Sequence, residues 1–241
     1  LYPVNPAYSR CFGLTCYPNL DHLPKAPDLV IYAISGLALE KSFEEAPEIG
    51  VGGIVIYASN YIVEDRHPKL TDRLKLRARA ANIPVIGGNS MGFYNYDDRV
   101  FVSFDHPPKD RPVGHIGLIL HSGSGMTYLA NNDSRFCFNY VIASAQETHA
   151  TVGDYMDFLL EQPSTHVIAI FLETVRDTDR FIAALKKANS LSIPVVITKL
   201  GKTEKSAVLA QSHSGAIIGD HDAFAAVCDR YGAILCDDAD E

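Results

Sequence analysis

Apolar runs rich in β-branched residues alternate with amphipathic segments of helical length, and this alternation constrains the fold of the chain more than any other feature. Continuous apolar strands separated by helices are typical of a parallel sheet covered on both faces, so the pattern predicts an α/β fold. The strands are expected at 29–34, 53–57, 83–87, 116–120, 140–143, 166–172 and 195–198. The helices are expected at 38–48, 69–81, from about 123, and at 152–160, 178–189 and 220–230.

The alternation is interrupted once, at the proline-rich and charged segment 105–112. Such a composition suits an interdomain connection. The 241 residues also suffice for two domains that each bury a core. We therefore predict tandem doubly wound parallel sheets, with one domain over residues 1–108 and a second over residues 112–241.

The charge balance and the cysteine pattern argue against several classes of protein. The formal net charge of −8 disfavours nucleic-acid binding, which requires a basic surface. No apolar run approaches the roughly 20 residues of a membrane span. The first residues lack a basic start followed by a short apolar core, so we expect no signal peptide. The five cysteines are scattered without a Cys-x-x-Cys pair, so we expect free thiols, no metal site and a cytoplasmic protein. The chain lacks an initiator methionine and closes on the acidic run 237–241, and we expect both ends to be cut from a longer protein.

One histidine lies in a loop of small residues that suits phosphoryl transfer. His213 is flanked by Ser212 and Ser214 and followed by Gly215 and Ala216, so nothing bulky blocks its ring nitrogens. An imidazole attacks phosphorus when it is neutral and its other nitrogen is held by an acceptor. We therefore predict that His213 carries a phosphoryl group; the plain alternative is a solvated or structural loop histidine.

A phosphohistidine needs backbone donors and preferably a helix N-terminus, and the sequence offers two such places. One is the turn after the strand that ends at Leu120, and the other is the histidine loop itself, which precedes a helical stretch. Glycines let the backbone approach an anion, and serines add donors. A plain strand-to-helix connection is the alternative. The candidate phosphate-binding residues are Ser122, Gly123, Ser124, Gly125, Ser214 and Gly215.

A carboxylate at a strand end is the candidate hydrogen-bond acceptor for the histidine ring, and we call this acceptor the holder. Glu173 follows the apolar run 167–172, at the carboxyl edge where open α/β sheets place their sites. A carboxylate there could accept the ring N–H of His213, fix its tautomer and stabilise the charged phosphoimidazole. The alternative is an exposed glutamate at the end of a strand.

Four segments occur in the same order in the nucleoside-diphosphate-forming acyl-CoA synthetases, and the chain resembles that family over nearly its whole length. The segments are 87–92, 122–125, 171–177 and 212–216. The resemblance is to the ADP-forming acetyl-CoA synthetases and, more distantly, to the succinyl-CoA synthetase α subunit.

The resemblance implies a Rossmann-like CoA-binding domain up to residue 108, without the family's first strand and glycine-rich turn, and a flavodoxin-like ligase domain from residue 112. It implies that His213 takes phosphate from ATP and passes it to a small carboxylic acid, after which CoA displaces phosphate from the acyl phosphate. No ATP-grasp segment is present, so we expect an ATP-grasp domain or β subunit to bring ATP or ADP with Mg²⁺, in an oligomer. The positions that match the family's CoA contacts are Val4, Asn5, Pro6, Tyr32, Ala33, Ile34, Ala58, Ser59, Asn89 and Ser90.

One departure from the family pattern concerns the loop after the second strand of the ligase domain. The family's glycine–asparagine pair appears here as Ala145 and Gln146, with Glu147 and His149 nearby. We expect this loop to shape the acyl pocket, and the identity of the acid therefore stays open.

Two other functions are carried as alternatives. One is a non-catalytic CoA-binding or regulatory module of a fused protein acyltransferase, a relative that is expected to have lost the histidine. The other is a dinucleotide-binding oxidoreductase, which requires a complete Gly-x-Gly-x-x-Gly fingerprint after a strand. The sequence contains no such fingerprint, so this alternative ranks last.

Overall fold

Three β-sheets organise the residues that the computed structural model describes, which are 1–62, 64–132, 135–201 and 221–238. The smallest sheet is an antiparallel pair near the N-terminus, β1 (Arg10–Cys11) and β2 (Leu14–Thr15), followed by a single 3₁₀ turn at Leu20–His22. The other two sheets hold the parallel strands, and they carry the candidate site residues.

The first parallel sheet has three strands in the order β3-β4-β5, and a helix connects each strand to the next. Its helices cover the sheet with the apolar side chains of Leu39, Phe43 and Leu74, which are fully buried. The elements are β3 (Val30–Tyr32), α1 (Gly36–Ile49), β4 (Ile54–Ile56), α2 (Leu70–Ala81) and β5 (Val85–Gly87).

The second sheet has seven strands in the order β12-β11-β10-β8-β9-β6-β7. Five of them are parallel, and their order β9-β8-β10-β11-β12 is the 2-1-3-4-5 order of flavodoxin-like folds. The strands are β6 (Gly92–Asn95), β7 (Val100–Ser103), β8 (Ile116–Leu120), β9 (Phe138–Ala143), β10 (Val167–Leu172), β11 (Val195–Lys199) and β12 (Ile234–Cys236).

Helices pack on both faces of this sheet. A short α3 continues directly into a π-helical stretch, and together they lie over the aromatic side chains of Tyr94 and Phe138. The remaining helices form the larger core with β8, β9, β10 and β11 on the opposite face. The helices are α3 (Gly123–Gly125) with its π-helical continuation (Met126–Asn132), α4 (Val152–Leu160), α5 (Thr178–Ser190) and α6 (His221–Tyr231).

The predicted α/β class with tandem parallel sheets is confirmed, and the structure adds strands that the periodicity missed, namely the hairpins β1–β2 and β6–β7 and the parallel strand β12. Strands β6 and β7 lie before the predicted boundary at residue 108, yet β6 pairs antiparallel with β9 of the second sheet. None of the helices described is both long and apolar enough to cross a membrane. All five cysteines are free thiols.

Candidate functional site

The carboxyl ends of β8 and β10 form the point where the strand order of the second sheet reverses. In open α/β sheets this switch point is where a crevice opens for ligands. Leu120 at the end of β8 lies opposite Phe171 near the end of β10, and the backbone N of His121 lies 3.0 Å from the carbonyl oxygen of Phe171. The structure therefore brings the serine–glycine turn after β8 and the glutamate after β10 side by side.

The serine–glycine turn begins α3. The hydroxyl of Ser122 accepts a hydrogen bond from the backbone N–H of Gly125 at 3.3 Å, and it lies 3.0 Å from the hydroxyl of Ser124. A side chain at Gly123 would place its Cβ 2.7 Å from Cγ of Met91, so any larger residue there would force the Met91 side chain to shift. The turn thus presents small residues at the switch point.

Glu173 is buried, with 5% of its surface exposed, so the alternative of an exposed strand-end glutamate is wrong. Its backbone is held at both polar groups: the N–H donates to Nδ1 of His121 at 3.2 Å, and the carbonyl accepts from Nζ of Lys199 at 2.7 Å. Its Oε2 atom is buried and has no hydrogen-bond partner among the residues that the structure describes. A buried carboxylate oxygen with an open acceptor position suits the proposed role of a holder.

Lys199 ends β11 and supplies a cation beside Glu173. Burial lowers the pKa of its amine, and the Glu173 carboxylate opposes that shift. The ammonium also donates to the carbonyl of Leu200 at 3.0 Å, so it is anchored to backbone on two sides. The motif analysis did not single out this lysine, although its place at a strand end is the same signal that identified Glu173.

A buried histidine–carboxylate pair lies next to Glu173, and the sequence analysis missed its connection. Nε2 of His121 lies 3.0 Å from Oε1 of Glu147, and both side chains are fully buried. The second oxygen of Glu147 accepts from Nη1 of Arg176 at 3.3 Å. His121 directly follows β8, so a polar residue immediately after an apolar strand is again the signal that could have found it.

The candidate CoA residues of the first sheet follow the carboxyl ends of its three parallel strands. Ala33 and Ile34 come after β3 and are exposed, whereas Ala58 and Ser59 come after β4 and are half-buried. Tyr32 differs from these accessible residues, because its side chain packs in the core and its hydroxyl donates to the Ser42 carbonyl at 2.8 Å. Burial raises the pKa of this hydroxyl to about 12. Small and partly exposed residues leave this edge accessible, which fits a nucleotide-like ligand.

Two further candidates follow β5, and three lie near the N-terminus. The backbone N–H of Asn89 donates to the Ala58 carbonyl at 2.9 Å, which ties the loops after β5 and β4 together. Ser90 is buried, and its hydroxyl donates to the Ala143 carbonyl at 2.6 Å. The N-terminal candidates are exposed and lie beside Tyr17, whose carbonyl accepts from the Asn5 backbone at 2.8 Å. These N-terminal candidates are Val4, Asn5 and Pro6.

The loop after β9 joins the loops of the first sheet to the second. The hydroxyl of Thr148 accepts from the backbone N–H of Gly88 at 2.9 Å and from the side-chain amide of Asn60 at 2.6 Å. The side chain of Gln146 accepts from the Asn60 backbone at 3.0 Å and donates to Ser59 at 3.2 Å. The candidate CoA loops are therefore hydrogen-bonded to the same loop that carries Glu147.

The remaining site predictions, His213, Ser214 and Gly215, lie outside the described residues. The residues predicted to act with them, the turn 122–125 and Glu173, lie together at the switch point.

Comparisons with known proteins identify the same two modules. The family model of a CoA binding domain matches residues 1–96, and that of a succinyl-CoA ligase like flavodoxin domain matches residues 113–241. The chain is 30% identical over 250 residues to trans-feruloyl-CoA synthase FCS1 from an unknown prokaryotic organism, covering 100% of this chain and 35% of that protein. It is 30% identical over 233 residues to ADP-forming acetate–CoA ligase II of Archaeoglobus fulgidus, covering 95% of this chain and 34% of the relative.

A solved structure shares the fold over the whole chain. The dinucleotide forming acetyl-coenzyme A synthetase 1 of Ca. Korarchaeum cryptofilum, in complex with phosphate and ADP, superposes with a TM-score of 0.86 at 24% identity. The match covers 99% of this chain and 52% of that one. The chain thus spans 35% and 34% of the two curated relatives and about half of the solved structure.

Proposed function

The chain belongs to the nucleoside-diphosphate-forming acyl-CoA synthetase family, and from this membership we propose that it is the CoA-binding and phosphate-carrying portion of a ligase that joins a carboxylic acid to CoA. The observation that carries the proposal is the buried carboxylate of Glu173 beside the serine–glycine turn at the switch point of the second sheet. This is the place where a flavodoxin-like sheet binds a ligand, and it unites an acceptor with backbone donors.

In the proposed reaction, His213 takes the terminal phosphoryl group of ATP, forming an N–P bond as the P–O bond to ADP breaks. It then gives the phosphoryl group to the carboxylate of the acid, and the sulfur of CoA displaces phosphate from the resulting acyl phosphate, leaving a thioester. Glu173 accepts a hydrogen bond from the single ring N–H of His213, which keeps the other nitrogen unprotonated and free for attack. The backbone amides of the turn 122–125 and of Ser214 and Gly215 stabilise the phosphate.

CoA is proposed to bind along the carboxyl edge of the first sheet, at the accessible loops after β3, β4 and β5. The nucleotide and Mg²⁺ are assigned to an ATP-grasp domain or β subunit outside this chain, and the assembly is proposed to be an oligomer in the cytoplasm. The acids named for two relatives, acetate and ferulate, define the first substrates to test.

The test is phosphoryl transfer to the chain from acyl phosphates, which requires neither nucleotide nor CoA. Acetyl phosphate and feruloyl phosphate labelled with ³²P should each be offered, and we expect a label that is acid-labile and alkali-stable. Substitution His213→Ala should abolish it, and a label that survives this substitution would contradict the proposal. Binding of CoA without any labelling would favour the non-catalytic module instead.

Glu173→Gln tests the proposed holder separately. We expect the labelling rate to fall at least about tenfold, since a carboxylate that fixes a histidine tautomer in hydrolase triads contributes up to about 10⁴-fold. Glu161→Gln is the matched control, because Glu161 directly follows α4 and its side chain is mostly exposed. Equal rates in the two variants would remove Glu173 from the mechanism.

A further inference from the structure

The strand order places His121 between two carboxylate residues. Strand β8 lies between β9 and β10 in the sheet, so the residue that follows β8 lies between the segments that follow its two neighbours. Glu147 comes from the segment after β9, and Glu173 comes directly after β10. Both ring nitrogens of His121 are engaged, one with each of these two residues.

These contacts fix the tautomer of His121. A backbone N–H can only donate, so the Glu173 amide at 3.2 Å requires Nδ1 of His121 to be an unprotonated acceptor. The proton of the neutral ring therefore lies on Nε2, which donates to Oε1 of Glu147 at 3.0 Å. Oε2 of Glu147 accepts from Nη1 of Arg176 at 3.3 Å, so both oxygens of this carboxylate serve as acceptors.

The other tautomer of His121 would oppose the local structure. Its Nδ1–H would face the N–H of Glu173, so two donors would point at each other in a site closed to water. The charged groups around the ring are Glu147 and Arg176 on one side and Glu173 with Lys199 on the other. The hydrogen bonds thus hold a single ring state.

Building on the proposed function, we infer that His121 is a positioning residue for Glu173, with its tautomer set by Glu147. His121 accepts from the backbone N–H of Glu173, and Lys199 donates to its carbonyl. The backbone of Glu173 is therefore hydrogen-bonded on both sides of its side chain. The buried Oε2 of Glu173 is then presented at one place, and a displacement of about 1 Å in such a group costs on the order of 100-fold in rate. His121 does not itself touch the phosphoryl group.

Two amide substitutions separate the two contacts of the ring. The amide oxygen of Asn lies near the position of Nδ1, so His121→Asn keeps an acceptor for Glu173 and loses the donor to Glu147. The longer His121→Gln places its amide near Nε2, so it keeps the donor to Glu147 and leaves the N–H of Glu173 without a partner. The matched control is His115→Asn, because His115 directly precedes β8 at the opposite edge of the sheet and is exposed.

The assay is the rate of ³²P transfer from a saturating acyl phosphate to the full chain, with the thermal midpoint of each variant recorded. We expect His121→Asn to label within about threefold of the unaltered chain and His121→Gln to label about 10–100-fold more slowly. Equal rates in these two variants, or rates that merely follow the thermal midpoints, would overturn the inference. Unaffected labelling in both, with His213→Ala still unlabelled, would leave the proposed function standing without this inference.

The ring state provides a readout independent of activity. Long-range ¹H–¹⁵N correlation should show the Nε2–H tautomer for the His121 ring. The Nδ1–H tautomer would refute the inference whatever the rates. Absence of any label in the unaltered chain would instead remove the proposed function, and the positioning role would fall with it.

Discussion

Replacing Thr148 by valine should weaken the connection between the two parallel sheets. Thr148 is fully buried, and its hydroxyl accepts two hydrogen bonds from loops of the first sheet, from the Gly88 backbone at 2.9 Å and from the Asn60 side chain at 2.6 Å. Valine has nearly the same shape but no acceptor, so Thr148→Val leaves two buried donors unpaired without creating a cavity. The backbone N–H of Thr148 keeps its bond to the Gly87 carbonyl.

The magnitude follows from the number of donors that lose their acceptor. Each buried polar group left unsatisfied costs about 1–3 kcal/mol, so the two donors together cost about 2–6 kcal/mol. A domain of this size loses roughly 2–4 °C in thermal midpoint per kcal/mol, and a cost of about 3 kcal/mol therefore lowers the midpoint by about 6–12 °C. Because the lost contacts hold Gly88 next to the candidate CoA residue Asn89, we also expect weaker binding of CoA.

The assay is thermal unfolding followed by circular dichroism, with Thr165→Val as the control. Thr165 is also buried, but its hydroxyl accepts only from the side-chain amide of Asn139, at 2.7 Å, and that amide also donates to Ser164. The control should lose about half as much stability as Thr148→Val. A midpoint for Thr148→Val equal to or above that of the control would refute the reasoning.

Two further substitutions test the fold of the two parallel sheets. The hydrogen bond from Arg73 lowers the pKa of Glu40 to about 2, so this carboxylate stabilises the fold fully above its usual pKa of 4.5 and loses that contribution as the pH falls toward 2. In Glu40→Gln, urea unfolding should show lower stability at neutral pH and a smaller loss of stability between pH 4.5 and 2; an unchanged loss over that range would contradict this. Gly92→Ala would place a Cβ 1.8 Å from the Val102 carbonyl at a φ of +94°, so we expect a loss of stability above about 3 kcal/mol and faster hydrogen exchange in β6–β7. Gly13→Ala, with φ +78° and open space around the Cβ, is its control and should cost less; equal losses would contradict the close approach.

The parallel strands other than the three-residue β12 could be predicted because their apolar runs carry the signal locally. The run 29–34 contains β3, and the run 116–120 coincides with β8. The hairpin β6–β7 could not be predicted in the same way, since its place in the second sheet depends on antiparallel pairing with β9, a contact between segments distant in the chain. Hydrophobic periodicity predicts which residues of a strand are buried, but it does not predict which strand they pair with.

The candidate site was predictable to the extent that it follows strand ends. Glu173 and the turn after β8 were found because each comes directly after an apolar run at the carboxyl edge. The pairing of His121 with Glu147 was missed, because a histidine beside a serine–glycine turn looks like part of the turn. Only the order β9-β8-β10 shows that its ring lies between two glutamates.

The loop after β9 connects the candidate CoA loops of the first sheet with the switch point of the second, because successive side chains of the loop bond to one and then the other. Gln146 and Thr148 bond the loops of the first sheet, whereas Glu147 between them bonds His121 in the second. A backbone shift that moves Glu147 must therefore also move the contacts to the candidate CoA residue Ser59. In the proposed reaction, the acid would have to fit against this loop. The side chains of Gln146, Glu147 and Thr148 are all hydrogen-bonded, so substituting any of them would break a contact. We therefore expect specificity for the acid to change through substitutions of the residues that face the loop.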